Sequence, residues 1–400
     1  MKTTKQLKIA IIIDSYDNAN NGTVVSTKRL VELLNKEHNV KVVTNGECFE
    51  DHVGLPRLNI PIINSRMEKS GFAFAKPDKK ILHSVIQWAD IIHIPFPTPL
   101  GRSAMKISNR LDKPVTTSFY VQPETILLNI RCFSKRLSEL IYRSLITNFY
   151  NKSMKVICPS SFAAAELEKR GIRIETSIIP GILLPEFSPT FWQKTGKIKK
   201  HFTILSVGRH ARDKNHDILI KAINLSRYRE KINLIISGKG PLTGYLLKKA
   251  RNLSTIPVID FLPNRLLLKA YQESDLYVHT SRAELKSMAV MEAMACGLPP
   301  LIANSPLSAA PGYAINSLFL FKSDCPKDLA GQIDFWFEHR DELEAYRYRY
   351  AQHALKYRIE TSHQKLEIFF RSTIAQHRLS KNFNRLQGKM EPADYRYRHT

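Results

Sequence analysis

Short apolar runs without polar alternation recur along the first half of the chain, each followed by a stretch of helical period. "KIAIIID" precedes a helix from about Thr23 to Lys36; "VKVVT", then "IIHIPF" with a helix following Gly101, then "PVTTSF" and "KVICPS" continue the series. Runs of this kind suit strands of a parallel sheet covered on both faces. The pattern restarts after residue 200 with "FTILSVG", "INLIISG", "VIDFLP", "LYVHTS" and "PLIAN". Between the halves, "PEFSPTFWQKTGKIKK" is polar, basic and broken by Pro and Gly, the composition of a linker. The reading is α/β: a doubly wound domain over residues 1–186, a linker over 187–200, and a second doubly wound domain over 201–379. The terminal helices of the second domain lie within reach of the first, and residues 380–400 form a mobile basic tail. Two such domains face a cleft, with ligands at the carboxyl ends of the strands.

Composition adds limits. At 400 residues, 43% hydrophobic and 24% charged, the chain suits two soluble domains. Its apolar runs are too short to cross a bilayer, and the N-terminus shows no small-residue cleavage site, so the expected location is cytoplasmic, peripheral at the inner membrane face. Cys48, Cys132, Cys158, Cys296 and Cys325 are odd in number and scattered, which points to reduced thiols. Thirteen histidines include no H-E-x-x-H or similar pair, so no metal is expected.

The formal charge of +24 calls for an anionic partner, and nucleic acid, an anionic membrane or a phosphorylated substrate would each suit it. Residues 131–155 concentrate that charge. Phe133, Leu137, Ile141, Leu145 and Phe149 recur at near-helical spacing, with Arg131, Lys135, Arg136, Arg143, Lys152 and Lys155 on other faces. The pattern suits either an amphipathic helix lying on a membrane or a core helix with a basic outer face.

Three segments carry candidate chemistry. In "SVGRHARDKNHDILIKAI" a strand ends at Val207, Gly208 permits a tight turn, and Arg209 and Lys214 precede a helix bearing Ile218, Leu219 and Ala222. Cations before a helix N-terminus make a phosphate site, although a basic turn alone is more often a solvated loop. "ISGKGPL" is a second glycine turn, where Gly238 and Gly240 would let a backbone approach a ligand closely. In "AELKSMAVMEAMACGLP" the acids Glu284 and Glu292 frame an apolar stretch. On one helix they would sit about 12 Å apart along the axis and could not share a proton. A helix capped by Ser287 and stopped by Gly297 leaves Glu284 in the preceding loop and Glu292 within the helix, with Met288, Met291, Met294 and Ala295 facing the core. Taken alone, the pair reads as one loop residue and one solvated helix residue.

In order, "VGRHARDKNHDILIKA", "LIISGKGP", "VIDFLP", "DLYVHTSRAELKSMAVMEAMACGLP" and "LIANSP" resemble the C-terminal half of the family-four retaining glycosyltransferases, which have the GT-B fold. The first half agrees more loosely, through "NNGTVVS", "IIHIPFPTPLG" and "TTSFYVQPE". The resemblance implies a nucleotide sugar as donor substrate, a UDP-sugar being favoured, a glycan or lipid-linked acceptor, and no bound cofactor. It places Glu292 on the ribose hydroxyls and Glu284 against the sugar ring, with the backbone of "ELKSM", including Ser287 and Met288, nearby. Arg209 and Lys214 would hold the diphosphate beside Gly208 and Gly238, and Gly22 would face the donor from the other domain. One departure stands out. The family commonly has a histidine after the strand that reads "PVTTSFY" here, where this chain has Tyr120, a poor proton acceptor at neutral pH. His93 also ends a strand facing the cleft, as helper or structural residue, and Gln122 and Glu124 could serve the acceptor.

Two other classes compete. A catalytically weak or inactive relative acting as a binding subunit is motivated by Tyr120. A nucleic-acid binder would use the charge but explains none of the five motifs, so nucleic acid is not expected among the partners.

Overall fold

The computed structural model describes residues 5–16, 22–48, 51–59, 73–180, 183, 185–187 and 201–387. The first domain alternates strands and helices: β1 (Lys8–Ile12), α1 (Gly22–Leu34), β2 (Asn39–Asn45), β3 (His52–Leu55), α2 (Lys79–Trp88), β4 (Ile91–Ile94), α3 (Pro99–Arg110), β5 (Val115–Ser118), α4 (Pro123–Asn129), α5 (Lys135–Asn148), β6 (Lys155–Cys158), α6 (Ser161–Glu168) and β7 (Glu175–Ile178). The seven strands pair in the order β3-β2-β1-β4-β5-β6-β7, all parallel. Order reverses between β1 and β4, which opens a crevice beyond their carboxyl ends. The central strands β4, β5 and β6 are buried at every position, as unalternating apolar runs require.

The second domain repeats the plan: β8 (Phe202–Val207), α7 (His216–Leu225), β9 (Ile232–Ser237), α8 (Thr243–Ala250), β10 (Val258–Asp260), α9 (Asn264–Glu273), β11 (Leu276–His279), β12 (Ala283–Glu284), α10 (Met288–Ala295), β13 (Pro300–Asn304), β14 (Leu307–Ser308), β15 (Leu320–Lys322), α11 (Pro326–Glu338), α12 (Arg340–Ala354) and α13 (Ile359–Gln387). Its parallel sheet runs β10-β9-β8-β11-β13-β15, and β12 pairs separately with β14. The architecture is two Rossmann-like α/β domains, the GT-B arrangement.

Several sequence expectations need correction. Leu183 and Phe187 are already buried in the second core, so the chain leaves the first domain before residue 186; residues 188–200 of the linker lie outside the described residues. The final helix does not stop at 379. It runs to Gln387 because Leu366, Phe369, Phe370 and Ile374 bury against Leu7, Ile9, Leu30, Leu34 and Ile91 of the first domain, while Lys381 and His377 reach Asp112. Residues 388–400 lie outside the description.

The basic segment at 131–155 is also different in detail. Its helix covers only Lys135–Asn148, and the buried face is Ser138, Tyr142 and Ile146, one position removed from the Leu137–Ile141–Leu145 stripe. Ser138 and Tyr142 tolerate burial because both donate to Glu124, at 2.6 and 3.2 Å. Lys155 belongs to β6, where it pairs with Glu175 at 2.8 Å and reaches Ser372 of α13.

Three histidines are buried near the carboxyl ends of the sheets. Burial lowers His93 and His216 to about 3 and His210 to about 4, against an ordinary 6.5. The folded chain therefore refuses protons that the unfolded chain accepts below 6.5. The contribution of these histidines to stability is full above that pH and declines as pH falls toward 3. The urea midpoint should drop between pH 7 and pH 5, and His93→Gln should flatten that slope; an unchanged slope would mean that His93 takes up its proton while folded.

Candidate active site between the domains

Two glycine turns at the carboxyl edge of the second sheet fit into each other. A Cβ at Gly238 would lie 2.0 Å from the carbonyl oxygen of Gly208, and one at Gly240 would lie 2.6 Å from that of His210. The small residues are thus demanded by the chain's own loops. The loop from Gly208 to Asn215 is held from the other side by the segment after β11. Thr280 donates to the Lys214 carbonyl at 2.7 Å, and the Arg282 amide to the Asp213 carbonyl at 2.8 Å. Arg209 pairs with Asp213 at 3.4 Å.

That lashing brings Lys214 to Glu284. The Lys214 Nζ stands 3.0 Å from one carboxylate oxygen, and the His279 Nε2, at the end of β11, stands 2.8 Å from the other. The backbone of Glu284 is fixed by the β12–β14 pairing and by the Ala309 amide donating to its carbonyl at 2.7 Å. Burial disfavours the charged carboxylate, but Lys214 and His279 outweigh it and hold Glu284 at about 2. Ser287 caps α10, accepting from the Val290 amide, and Gly297 ends the helix in the left-handed conformation at φ +68°. The helix is not amphipathic. Val290 to Ala295 are all buried, Glu292 among them, and Met288 is half-buried.

Glu292 meets the first domain. Arg29 of α1 donates to one oxygen at 3.2 Å and Tyr271 of α9 to the other at 3.2 Å, with both members of the ion pair at least nine-tenths buried by side chain. Desolvation pushes the Glu292 carboxyl up while Arg29 pulls it down, and the net direction is upward. Lys286 reaches across to Ser26 at 3.5 Å and is lowered to about 7, first by burial and then by Arg29. Leu285, between Glu284 and Lys286, is buried in the first domain's core, and its carbonyl accepts from Ser160 at 2.6 Å. Gln122 donates to the Leu307 carbonyl, and Asn129 accepts from the Arg212 amide. The loop bearing Glu284 is therefore the seam between the domains.

On the first-domain side, Tyr120 follows β5, and burial raises its phenol further above the ordinary range. His93 does not open into the cleft: its ring is buried, bonded to Thr116 and Ser118 at 3.0 Å each, with Phe370 edge-on. Glu124 is occupied by Ser138 and Tyr142, whereas Gln122 spends its amide on the seam and leaves its side-chain oxygen without a partner among the described residues. Gly22 opens α1; the loop preceding it lies outside the described residues. Sequence reasoning passed over His279, Tyr271, Arg29 and Lys286. His279 stood in a quoted motif and could have been flagged by its place at a strand end. Arg29 is 263 positions from Glu292 and left no local trace.

The pattern that defines Glycosyltransferase Family 4 matches residues 20–182, and that of Glycosyl transferases group 1 matches residues 188–354. The alpha-monoglucosyldiacylglycerol synthase of Streptococcus pneumoniae is 24% identical over 320 residues, 75% of this chain and 72% of its own. A GDP-mannose-dependent alpha-mannosyltransferase of Corynebacterium glutamicum is 26% identical over 325 residues, 75% and 73% of the two chains. HepE of Anabaena, solved with UDP and glucose, shares the fold with a TM-score of 0.69 at 16% identity, over 92% of this chain and all of that one. The fold and the paired motifs define a GT-B glycosyltransferase, and the chain belongs to glycosyltransferase family four.

Removing Arg29 leaves Glu292 buried with Tyr271 alone. Arg29→Met should lower stability by about 1–3 kcal/mol, the penalty of a buried acceptor left short of a partner, and Glu292→Gln in that background should restore most of it. Wild-type stability in the single variant, by chemical denaturation, would show that the pair makes no net contribution.

Proposed function

We propose that the chain transfers a hexose, with retention of anomeric configuration, from a nucleoside diphosphate sugar to a lipid-linked or glycan hydroxyl at an anionic membrane surface. The observation that carries this reading is the convergence of Glu284, Lys214 and Glu292 on the domain seam. Glu292 would accept from the ribose hydroxyls, taking up the place now filled by Arg29, and Glu284 would accept from the sugar's hydroxyls. Lys214 and Arg209 would turn to the diphosphate, Gly208 and Gly238 shaping the loops beside it, with Ser287 and Met288 supplying backbone at the sugar.

Breaking the bond from the anomeric carbon leaves charge on the diphosphate oxygen, and prearranged cations stabilise that charge in the transition state. Among the described groups at the seam, Glu284 is held ionised by two partners, Glu292 is bonded on both oxygens, and Tyr120 is a protonated phenol. In this reading, which follows the family resemblance, the departing diphosphate oxygen takes the acceptor's proton, so that attack comes on the face it leaves and configuration is retained.

A UDP-sugar is favoured as donor. HepE was solved with UDP and glucose, and the pneumococcal relative is named for a monoglucosyl product, whereas the Corynebacterium relative is named for GDP-mannose. For the acceptor side, Ile126 of α4, Leu140 of α5 and Ile130 and Phe133 in the turn between them are exposed, as are Arg131, Lys135 and Arg136 of the same stretch. Apolar side chains ringed by cations fit an anionic bilayer, and no helix among the described residues is long and apolar enough to cross one. A second reading, an inactive relative serving as a binding subunit, draws on Tyr120, whose phenol is no base.

The test is calorimetric binding of UDP- and GDP-sugars, with transfer assayed in the same samples on anionic vesicles carrying membrane-extract lipids. Binding with transfer supports the enzyme, binding without turnover across acceptors supports the second reading, and no binding removes the site. Glu292→Ala should weaken donor binding by about 1–3 kcal/mol; unchanged affinity in the folded variant would remove its assignment to the ribose.

A further inference from the structure

Far from the seam, the turn between α1 and β2 carries Glu37 and His38, and one face of α13 carries His363 and Glu367, a single helical turn apart. The two segments are held together independently of these groups. Leu366 and Phe370 of α13 are buried against Leu30 and Leu34, and the Glu37 and His38 amides both donate to the Leu34 carbonyl. The outcome is that ligand-type atoms of Glu37, His363 and Glu367 all lie within 4.8 Å of one another, with the His363 Nε2 3.7 Å from Glu37. The nearly fully buried His38 presents its Nε2 to Glu367 from the other side. The His363 Nε2 is itself buried, with no hydrogen-bond partner among the described residues.

We propose that Glu37, His363 and Glu367 form a site for a divalent transition metal of the zinc class, tying the C-terminal helix to the first domain, with His38 bonded to Glu367 behind it. One imidazole and two carboxylates, with a fourth position for water, suit a zinc-class ion rather than calcium or magnesium, which take oxygen ligands. In a tetrahedral zinc site, bonds of about 2.0–2.2 Å bring ligand atoms to within about 3.5 Å of each other. Glu37 is exposed and is the ligand whose side chain has the most room to move toward that distance. Arg371 donates to the outer oxygen of Glu367 at 2.7 Å, an arrangement that orients the carboxylate and leaves the other oxygen toward the histidines. The same cation lowers the charge available to a metal, so affinity belongs in the micromolar range rather than that of a closed thiolate site. The site is separate from the nucleotide reading and stands or falls without it. The alternative arrangement is a metal-free polar cluster.

The experiment uses the full chain, stripped with chelator and dialysed, then titrated with zinc by calorimetry and with cobalt by visible absorption. One equivalent should bind, cobalt should give the bands of a four-coordinate site, and zinc should raise the melting temperature by a few degrees. His363→Ala and Glu37→Gln should each weaken zinc binding by about tenfold or more. Glu37 is exposed, so Glu37→Gln decides the matter should His363→Ala fail to fold. No binding at submillimolar zinc, or binding that Glu37→Gln leaves unchanged, would overturn the site, the second outcome assigning the metal to other histidines on the chain.

Discussion

Two carboxylates buried in a domain seam must have positive or donating groups brought to them, and that requirement organises the centre of this protein. Glu284 draws Lys214 and His279, and Glu292 draws Arg29 and Tyr271. Lys214 can reach only because the loop before α7 is tied to the segment after β11, and that loop can lie there only because Gly238 leaves room for Gly208. Each group at the seam is positioned by a loop at the carboxyl edge of a parallel sheet.

What closes the seam is apolar burial more than charge. Burying Leu285 in the first domain's core contributes roughly 1.5–3 kcal/mol. The Arg29–Glu292 pair gives back much of its attraction in desolvation. The pair thus sets register between the domains while the leucine supplies the drive. α13 adds a third tie, since a helix entered from the second domain is buried on the first.

Most strands were legible because central parallel strands are apolar on both faces, and the helix carrying Glu292 was legible from Ser287 and Gly297, whose roles depend on local geometry. The edge strands β3, β7 and β15 were not, since they are only partly buried and carry no continuous apolar run. The face of α5 was misjudged because periodicity counts Ser138 and Tyr142 as outward residues, while Glu124 makes their burial affordable. His93 looked like a cleft residue by position and proved to be a core residue by hydrogen bonding. The groups that complete the seam, Arg29 above all, depend on contacts between distant parts of the chain that no spacing encodes.

The central claim is the proposal that the seam around Glu284 and Glu292 takes the nucleotide-sugar donor. Its most direct test is a crystal structure with a non-transferable UDP-sugar analogue. The account predicts the ribose on Glu292 with Arg29 moved away, the diphosphate beside Lys214 and Arg209, and the sugar against Glu284. A nucleotide bound elsewhere, with the Arg29–Glu292 pair intact, would contradict it.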